Sequence, residues 1–230
     1  MPIYREVNRS FFKKWSTEMS YVLGYFAADG TMIANNRGAH FIEFHSTDKQ
    51  LIIMVRDILK SNHKVSIRSP RDDKHKVAYR LQVGSNEMFK DLLMLGFIPN
   101  KSLTITFPII PEKFKKDFVR GYFDGDGCVY FKQHKAKDRK KKRWVFTTRF
   151  TSGSRKFLES LHSELDFEGG FILDKERGYE LVFSHRDSVA LYNLMYHNDC
   201  HGLYLNRKYK LFRKAIKVLY GINNAAVAQR

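Results

Sequence analysis

The sequence predicts an α+β fold, mixed α/β in content, formed by tandem duplication of an αββαββα unit, and three observations predict it. A twelve-residue motif is written twice, as YVLGYFAADGTM at residues 21–32 and FVRGYFDGDGCV at residues 118–129, with Val, Gly, Tyr, Phe, Asp and Gly at the same six places. Downstream segments recur in the same order: FHSTDKQLI from Phe44 matches FTSGSRKFL from Phe150, and YRLQVGSNEMFKDLLM from Tyr79 matches YELVFSHRDSVALYNLM from Tyr179. Hydrophobic periodicity switches between helical and alternating spacing at equivalent points of the two copies. Loop lengths change between the copies, but their ends still correspond, because Asn100 and Lys101 align with Arg207 and Lys208. The halves are placed at 1–110, an αββαββ half with the first motif (22–30) and a connecting segment, and at 111–230, an αββαββα half with the second motif (119–127).

Each half opens with a helix leading into the motif. Ser16 or Thr17 supplies the first N-cap, and Pro111 occupies the first helical position of the second, where its missing N–H costs nothing. Gly30 and Gly127 are expected to terminate these helices. Two strands come next in each half, at about 31–35 and 39–45, then at 127–133 and 143–151. The next helix carries Leu51, Val55, Ile58 and Leu59 in the first copy and Phe157, Leu158, Leu161 and Leu165 in the second. In the second strand pair Val77, Tyr79, Leu81 and Val83 point to one face and Ala78, Arg80 and Gln82 to the other, giving one apolar and one polar, basic surface. A last helix closes each half.

Composition limits the function classes. With 43% hydrophobic and 14% aromatic residues, the 230-residue chain has the material for a packed core, which excludes wholesale disorder. Forty-one Lys and Arg against 24 Asp and Glu leave a formal charge of +17, which calls for a polyanionic partner, nucleic acid before anionic membrane. A membrane-surface role is poorly supported, because the charge runs through strands and loops and not along one amphipathic helix. No apolar run spans a bilayer and MPIYREVNRSFFKKW has no signal-peptide core, so an intracellular protein is expected. Two cysteines, Cys128 and Cys200, without a CxxC pair, make neither a zinc ribbon nor a disulfide framework.

A single Asp-Gly is a common hairpin signal; two matched copies in a duplicated frame ask for another explanation. Gly24 and Ala28 lie four apart on one helix face, as do Gly121 and Gly125, so two such helices can approach backbone to backbone. Packed about a pseudo-twofold axis, they would bring Asp29 and Asp126 to helix C-termini, where the dipole is already negative. Like charges there are unfavourable unless a cation reverses the interaction, and hard oxygen ligands suit Mg²⁺.

These residues, VLGYFAADG and VRGYFDGDG, resemble the two signature motifs of a single-chain LAGLIDADG homing endonuclease, and the resemblance extends over nearly the whole chain. It implies saddle-shaped antiparallel sheets and site-specific double-strand DNA cleavage by a monomer, on a long pseudo-palindromic or asymmetric target. Asp29 and Asp126 stand at the metal-binding acid of the motif, and the main-chain carbonyls of Ala28 and Gly125 help coordinate. Mg²⁺ is implied as cofactor, with Mn²⁺ as substitute and Ca²⁺ supporting binding without cleavage; two-metal chemistry would activate water and neutralise the leaving 3′ oxygen. Positions matching the family's surrounding polar and basic residues are His45 and Lys49, Thr151 and Arg155, with Lys101 and Lys208. The motifs depart from the family at Val22, Leu23 and Tyr25, and at Val119, Arg120 and Tyr122; the sixth-position acid survives only as Asp124, with Ala27 in its place in the first copy. A relative that retains the scaffold without cutting, as an RNA maturase or splicing factor or as a DNA-binding regulator, is the alternative, and retention of both acids favours the enzyme.

The basic sheet faces would lie in the major groove. The contacting residues are then Ser66, Arg68, Arg80 and Gln82 in the first half and Thr147, Arg149 and Glu180 in the second, although a solvated sheet face accounts for any one of them. The run KQHKAKDRKKKR at 132–143 carries Lys132, Lys135, Lys137, Arg139, Lys140, Lys141, Lys142 and Arg143 where the first half has only an NNRG turn. A nuclear-localisation-like tract or a solvated loop also accounts for such a run, but its place on the expected DNA-facing rim favours phosphate contact. The segment YHNDCHG, with His197, Asp199, Cys200 and His201, lacks a second ligand pair at zinc spacing and is read as a structural loop. Replacing Lys140, Lys141 and Lys142 together with Ala should weaken duplex binding on every sequence and flatten its dependence on salt, as counterion release requires. Titration at several ionic strengths checks this, and an unchanged slope removes the loop from the interface.

Overall fold

The computed structural model describes residues 5–69, 76–135, 142–196 and 200–221. The chain divides into two compact units, Met1–Gly125 and Asp126–Arg230. The first holds α1 (Thr17–Asp29), β1 (Gly30–Ala34), β2 (His40–Ser46), α2 (Lys49–Ile58), β3 (Val65–Arg68), β4 (Ala78–Gly84), α3 (Asn86–Met94) and nearly all of α4 (Glu112–Asp126). The second holds β5 (Gly127–His134), β6 (Arg143–Ser152), α5 (Arg155–Leu165), β7 (Phe171–Lys175), β8 (Gly178–Ser184), α6 (His185–Tyr196) and α7 (Asn206–Tyr220). Both sheets are antiparallel and share one strand order, β1-β2-β4-β3 and β5-β6-β8-β7, so the duplicated sequence builds the same topology twice. The copy restarts in sequence at 111, whereas compaction parts the chain at Gly125, because α4 packs on α1.

Local chemistry fixes the elements. Ser16 accepts a hydrogen bond from the Met19 N–H at 3.1 Å and starts α1. Asp48 and Ser154, at equivalent places, cap α2 and α5 by accepting from Gln50 and Phe157, and Ser85 caps α3. Pro111 stands one residue before the first turn of α4 and not within it, a shift of the size by which helix ends differ. Gly30 does end α1, but not in the left-handed conformation that favours glycine: its φ is −90° and the chain turns directly into β1. Glycine is needed there because a Cβ would lie 2.2 Å from the Phe26 ring.

The strand alternation read from the sequence is the alternation of burial except at Val77, which is expected on the apolar face but stands exposed one residue before β4, where no paired strand covers it. In unit 1 Met32, Ile42, Phe44, Leu81 and Val83 are buried on one sheet face, together with Leu51, Ile52 and Val55 of α2 and Met88, Phe89 and Leu92 of α3. In unit 2 Val129, Phe131, Phe146, Phe150, Leu181 and Phe183 form the corresponding face, with Phe157, Leu158 and Leu161 of α5 and Phe212 of α7 among the buried residues. Each such side chain contributes about 1.5–3 kcal/mol on leaving water. The equivalence at the repeat ends holds with different structure: Lys101 begins a single 3-10 turn, Lys101–Leu103, and Lys208 lies in the first turn of α7.

Within unit 1, α1 and α4 meet through glycine. A Cβ on Gly24 would stand 2.0 Å from the Phe118 carbonyl oxygen, and one on Gly121 2.0 Å from the Tyr21 carbonyl oxygen, so the contact is reciprocal and backbone to backbone. Val22, Leu23, Tyr25 and Phe26 on α1 and Val119, Tyr122 and Phe123 on α4 are buried around it as core filling. The departures from the family motif have partners here. Arg120, 1% exposed, donates to Asp117 at 2.7 Å and lies 5.6 Å from the Tyr21 ring, and the Tyr21 hydroxyl donates to Asp124 at 2.7 Å. Asp124 thus ties α4 to α1 from inside the core. Gly24→Ala or Gly121→Ala should destabilise the fold by at least about 1–3 kcal/mol, the range for overpacking, because the obstructing atoms are backbone. Urea unfolding measures this, and wild-type midpoints in both variants would show that the helices have room.

Candidate functional site

Asp29 is the last residue of α1 and Asp126 the last of α4, and both are half-buried. These helix ends carry carbonyl oxygens and the negative end of the dipole. Packing in unit 1 places α4 against the first acid: a Cβ on Gly125 would lie 2.4 Å from the Ala28 Cβ and 3.1 Å from Asp29 Oδ2. Only glycine fits there, and Asp126 comes directly after it in the chain.

The two matched lysines are buried, each 5% exposed. Lys101 donates from Nζ to the Gly30 carbonyl at 2.6 Å and lies 5.3 Å from the Phe26 ring centroid, so its charge is held one residue along the chain from Asp29. Lys208, its counterpart in the repeat alignment, lies in the first turn of α7 in unit 2.

The polar face of the first sheet contains a residue that neither motif nor repeat singles out. Glu43 on β2 is 3% exposed and stands opposite Gln82 on β4. Its Oε1 accepts from Arg80 at 3.2 Å and from Gln82 Nε2 at 2.5 Å, and its Oε2 pairs with His45 Nε2 at 2.9 Å. Arg80 also donates from Nε to the Ser66 hydroxyl at 3.3 Å. Ser66, Arg80, Gln82 and His45 are therefore brought together around one carboxylate, while Arg68 is exposed at the end of β3. A signal exists in β2, where an acid sits between Ile42 and Phe44 in register with Gln82, but only the strand pairing shows what it faces. The Tyr25 hydroxyl donates to the His45 carbonyl, fastening α1 to the same strand.

Lys49, first residue of α2, is exposed, with Nζ 6.0 Å from the Tyr79 ring centroid. Thr151 is exposed on β6 opposite Glu180. Arg155 is exposed and bonded to Glu159 at 2.9 Å and Asp174 at 2.8 Å; the Glu159 bond leads the causes that raise its pKa above the usual guanidinium value. In unit 2 Arg149 pairs with Glu180 at 3.6 Å and lies 5.8 Å from the Tyr130 ring; Lys175 approaches Glu180 at 3.5 Å, and Thr147 is half-buried opposite Ser184. Lys132, Lys135, Lys142 and Arg143 are exposed where β5 and β6 meet the basic run, and Lys137, Arg139, Lys140 and Lys141 lie outside the described residues. His197 and Asp199 lie outside them too, and among the described residues no three His, Cys, Asp or Glu side chains gather as a metal cluster. No described helix is long and apolar enough to cross a membrane.

Known proteins share this sequence pattern and this architecture. The family model for a LAGLIDADG-like domain matches residues 16–94 and 113–167, which contain both motifs. The uncharacterized protein MJ0398 of Methanocaldococcus jannaschii is 22% identical over 209 residues, covering 90% of this chain and 68% of that one. Among solved structures, the homing endonuclease I-WcaI bound to its DNA recognition sequence superposes with a TM-score of 0.59 at 15% identity, over 89% of this chain and 91% of that one. The I-SmaMI LAGLIDADG homing endonuclease bound to cleaved DNA gives 0.57 at 14% identity, over 89% of each chain. The meganuclease I-AabMI bound to uncleaved DNA gives 0.58 at 14% identity, over 86% and 88%. At these identities the structures establish a shared fold.

His45 makes the Glu43 cluster sensitive to acid. Burial, the largest influence, holds its pKa below the ordinary 6.5, against the opposing bond and charge of Glu43. The fold favours neutral imidazole, so the unfolded chain takes up the proton first. The contribution of His45 is whole above the unfolded value and is lost as pH falls through it toward the folded one. His45→Gln should accordingly flatten the decline in unfolding free energy between about pH 7 and pH 5; the wild-type slope in the variant would place the loss elsewhere, at His63 among others, whose pKa burial also lowers.

Proposed function

This chain belongs to the LAGLIDADG-like family, and on that premise we propose that it is a monomeric, Mg²⁺-dependent, site-specific endonuclease that cuts both strands of a DNA duplex. The reading is carried by one observation: each of two copies of a glycine-packed helix ends in an aspartate, Asp29 and Asp126. A scaffold under structural demands alone gains nothing from a carboxylate at a dipole's negative end. The fold neighbours I-WcaI and I-SmaMI were solved with DNA, the first on its recognition sequence and the second on cleaved product.

The donor set fits a hard divalent cation. Two carboxylates and the carbonyls of Ala28 and Gly125 offer oxygen alone, and the missing side chain at Gly125 leaves clear the space beside Asp29 Oδ2 that a Cβ would fill. When bound, such a cation polarises the phosphoryl group and stabilises charge on attacking and leaving oxygens. The protein's own work is placement. The Gly24–Gly121 contact fixes the helices that carry the acids, Lys101 holds a positive charge at the Gly30 carbonyl, and Lys208, its counterpart in the repeat, is assigned the same role in the second copy. The sheet faces, with Arg80, Gln82 and Arg149 among their polar residues, hold the duplex by its major groove. The net charge of +17 supplies the phosphate attraction that brings the duplex there.

Asp29→Asn and Asp126→Asn remove a charge and keep the shape. Each should abolish double-strand cleavage in Mg²⁺ while binding the duplex in Ca²⁺ as the wild type does. Cleavage persisting in both single variants would end the proposal. A wild-type chain that binds structured RNA and cuts no duplex would favour the splicing-factor alternative.

A further inference from the structure

Outside the two motifs and among the described residues, Glu43 is a buried acid, 3% exposed, that accepts hydrogen bonds from several other side chains. It lies on the face of the first sheet where Arg80 and Gln82 stand, in a protein with a large excess of positive charge. Burying a carboxylate is costly unless it is paired and hydrogen-bonded. Here three side chains from two strands converge on it, two of them, Arg80 and Gln82, on the single atom Oε1. With Ser66 accepting the Nε hydrogen at 3.3 Å, the Arg80 guanidinium is held along two edges, and its remaining N–H groups have one direction left to point. Gln82 is fixed likewise: its amide nitrogen faces Glu43, which sets the side on which its oxygen accepts.

We propose that Glu43 is a positioning residue for base reading, which orients Arg80 and Gln82 on the β2–β4 face so that they present a fixed donor and acceptor pattern to the major groove; this rests on the DNA-cutting reading of the protein. An acid in the middle of a DNA-facing surface weakens phosphate attraction, so it serves selectivity and not affinity. Long side chains that reach the groove already ordered lose less entropy on binding the right base, and they adapt less readily to a wrong one.

The second copy carries an acid and an arginine on the same diagonal with their places exchanged, at the longer separation of 3.6 Å. Glu43 on β2 pairs with Arg80 on β4 in unit 1, whereas Arg149 on β6 pairs with Glu180 on β8 in unit 2. By the repeat alignment, Glu43 corresponds to Arg149 and Arg80 to Glu180. The cation is thus presented from the inner strand after the hairpin in one copy and from its neighbour in the other.

The test compares base preference, position by position, for the wild type, Arg80→Ala, Arg149→Ala, Glu43→Ala and Glu43→Gln, by selection of bound duplexes in Ca²⁺ from a randomised library. Arg80→Ala marks the positions read from β4. Glu43→Ala should relax those same positions by about tenfold, within what one bidentate base contact discriminates. It should leave the positions marked by Arg149→Ala unchanged and should not reduce affinity for random duplex. Glu43→Gln, which keeps an acceptor oxygen, should relax the same positions less, and it carries the test if Glu43→Ala fails to fold by circular dichroism. Preferences at the Arg80 positions within twofold of wild type, or an equal loss at every position in both half-sites, would overturn the assignment, as would an Arg80→Ala variant that relaxes no position. A wild type that selects no sequence at all would sink the endonuclease reading itself, a result distinct from any failure of Glu43 alone.

Discussion

Two backbones approach each other at Gly24 and Gly121 more closely than any side chain permits, and the placement of the candidate site depends on that contact. Each glycine lies against the carbonyl of a residue on the other helix, Phe118 or Tyr21, so the pair fixes both the separation and the register of α1 and α4. Four residues on, Ala28 and Gly125 repeat the approach, and each helix ends one residue later in an acid. Spacing along a helix converts a packing requirement into the position of a carboxylate. Aromatic bulk around the contact, Tyr25, Phe26, Tyr122 and Phe123, makes the arrangement stiff without adding charge.

Charge is distributed in opposition to that rigid centre. The helix ends gather acids where the dipole is unfavourable to them, and buried Lys101 lies just past the first of them. The sheet faces are basic but not uniformly so, because Glu43 in one copy hydrogen-bonds Arg80 and Glu180 in the other lies 3.6 Å from Arg149. A surface meant only to attract phosphate has no use for such acids. On the proposed reading they belong to a surface whose side chains must have definite orientations, which would separate the strong, unspecific attraction of the net charge from the weaker discrimination between bases.

Much of this is legible in the sequence because duplication prints the same constraints twice. The order of elements, the apolar face of each sheet, the Ser16 cap and the small-residue helix contact all arise from local spacing, and all are present. The alternation at Tyr79, Leu81 and Val83 assigns their sheet face without knowledge of the strand's partner. What sequence does not reveal depends on pairing across the fold. Glu43 reads as a surface residue until β4 is laid beside β2, and Arg120 reads as an odd substitution until Asp117 and the Tyr21 ring are found around it. His45 and Arg155, chosen because they match the family's polar and basic positions, are hydrogen-bonded to Glu43 and to Glu159 with Asp174, partners that motif spacing does not indicate. Gly30 is expected to end a helix by its backbone freedom and is needed instead for the space that Phe26 occupies.

The central claim is that this duplicated scaffold does phosphodiester chemistry on duplex DNA, and recovery of cleaved sites from a randomised duplex library incubated with the wild-type chain tests it most directly. Mg²⁺ should yield one recurrent, non-palindromic site broken on both strands, and Ca²⁺ the same site bound and intact. Contradiction would be a folded protein that, in Mg²⁺ or Mn²⁺, cuts no duplex or cuts every sequence alike.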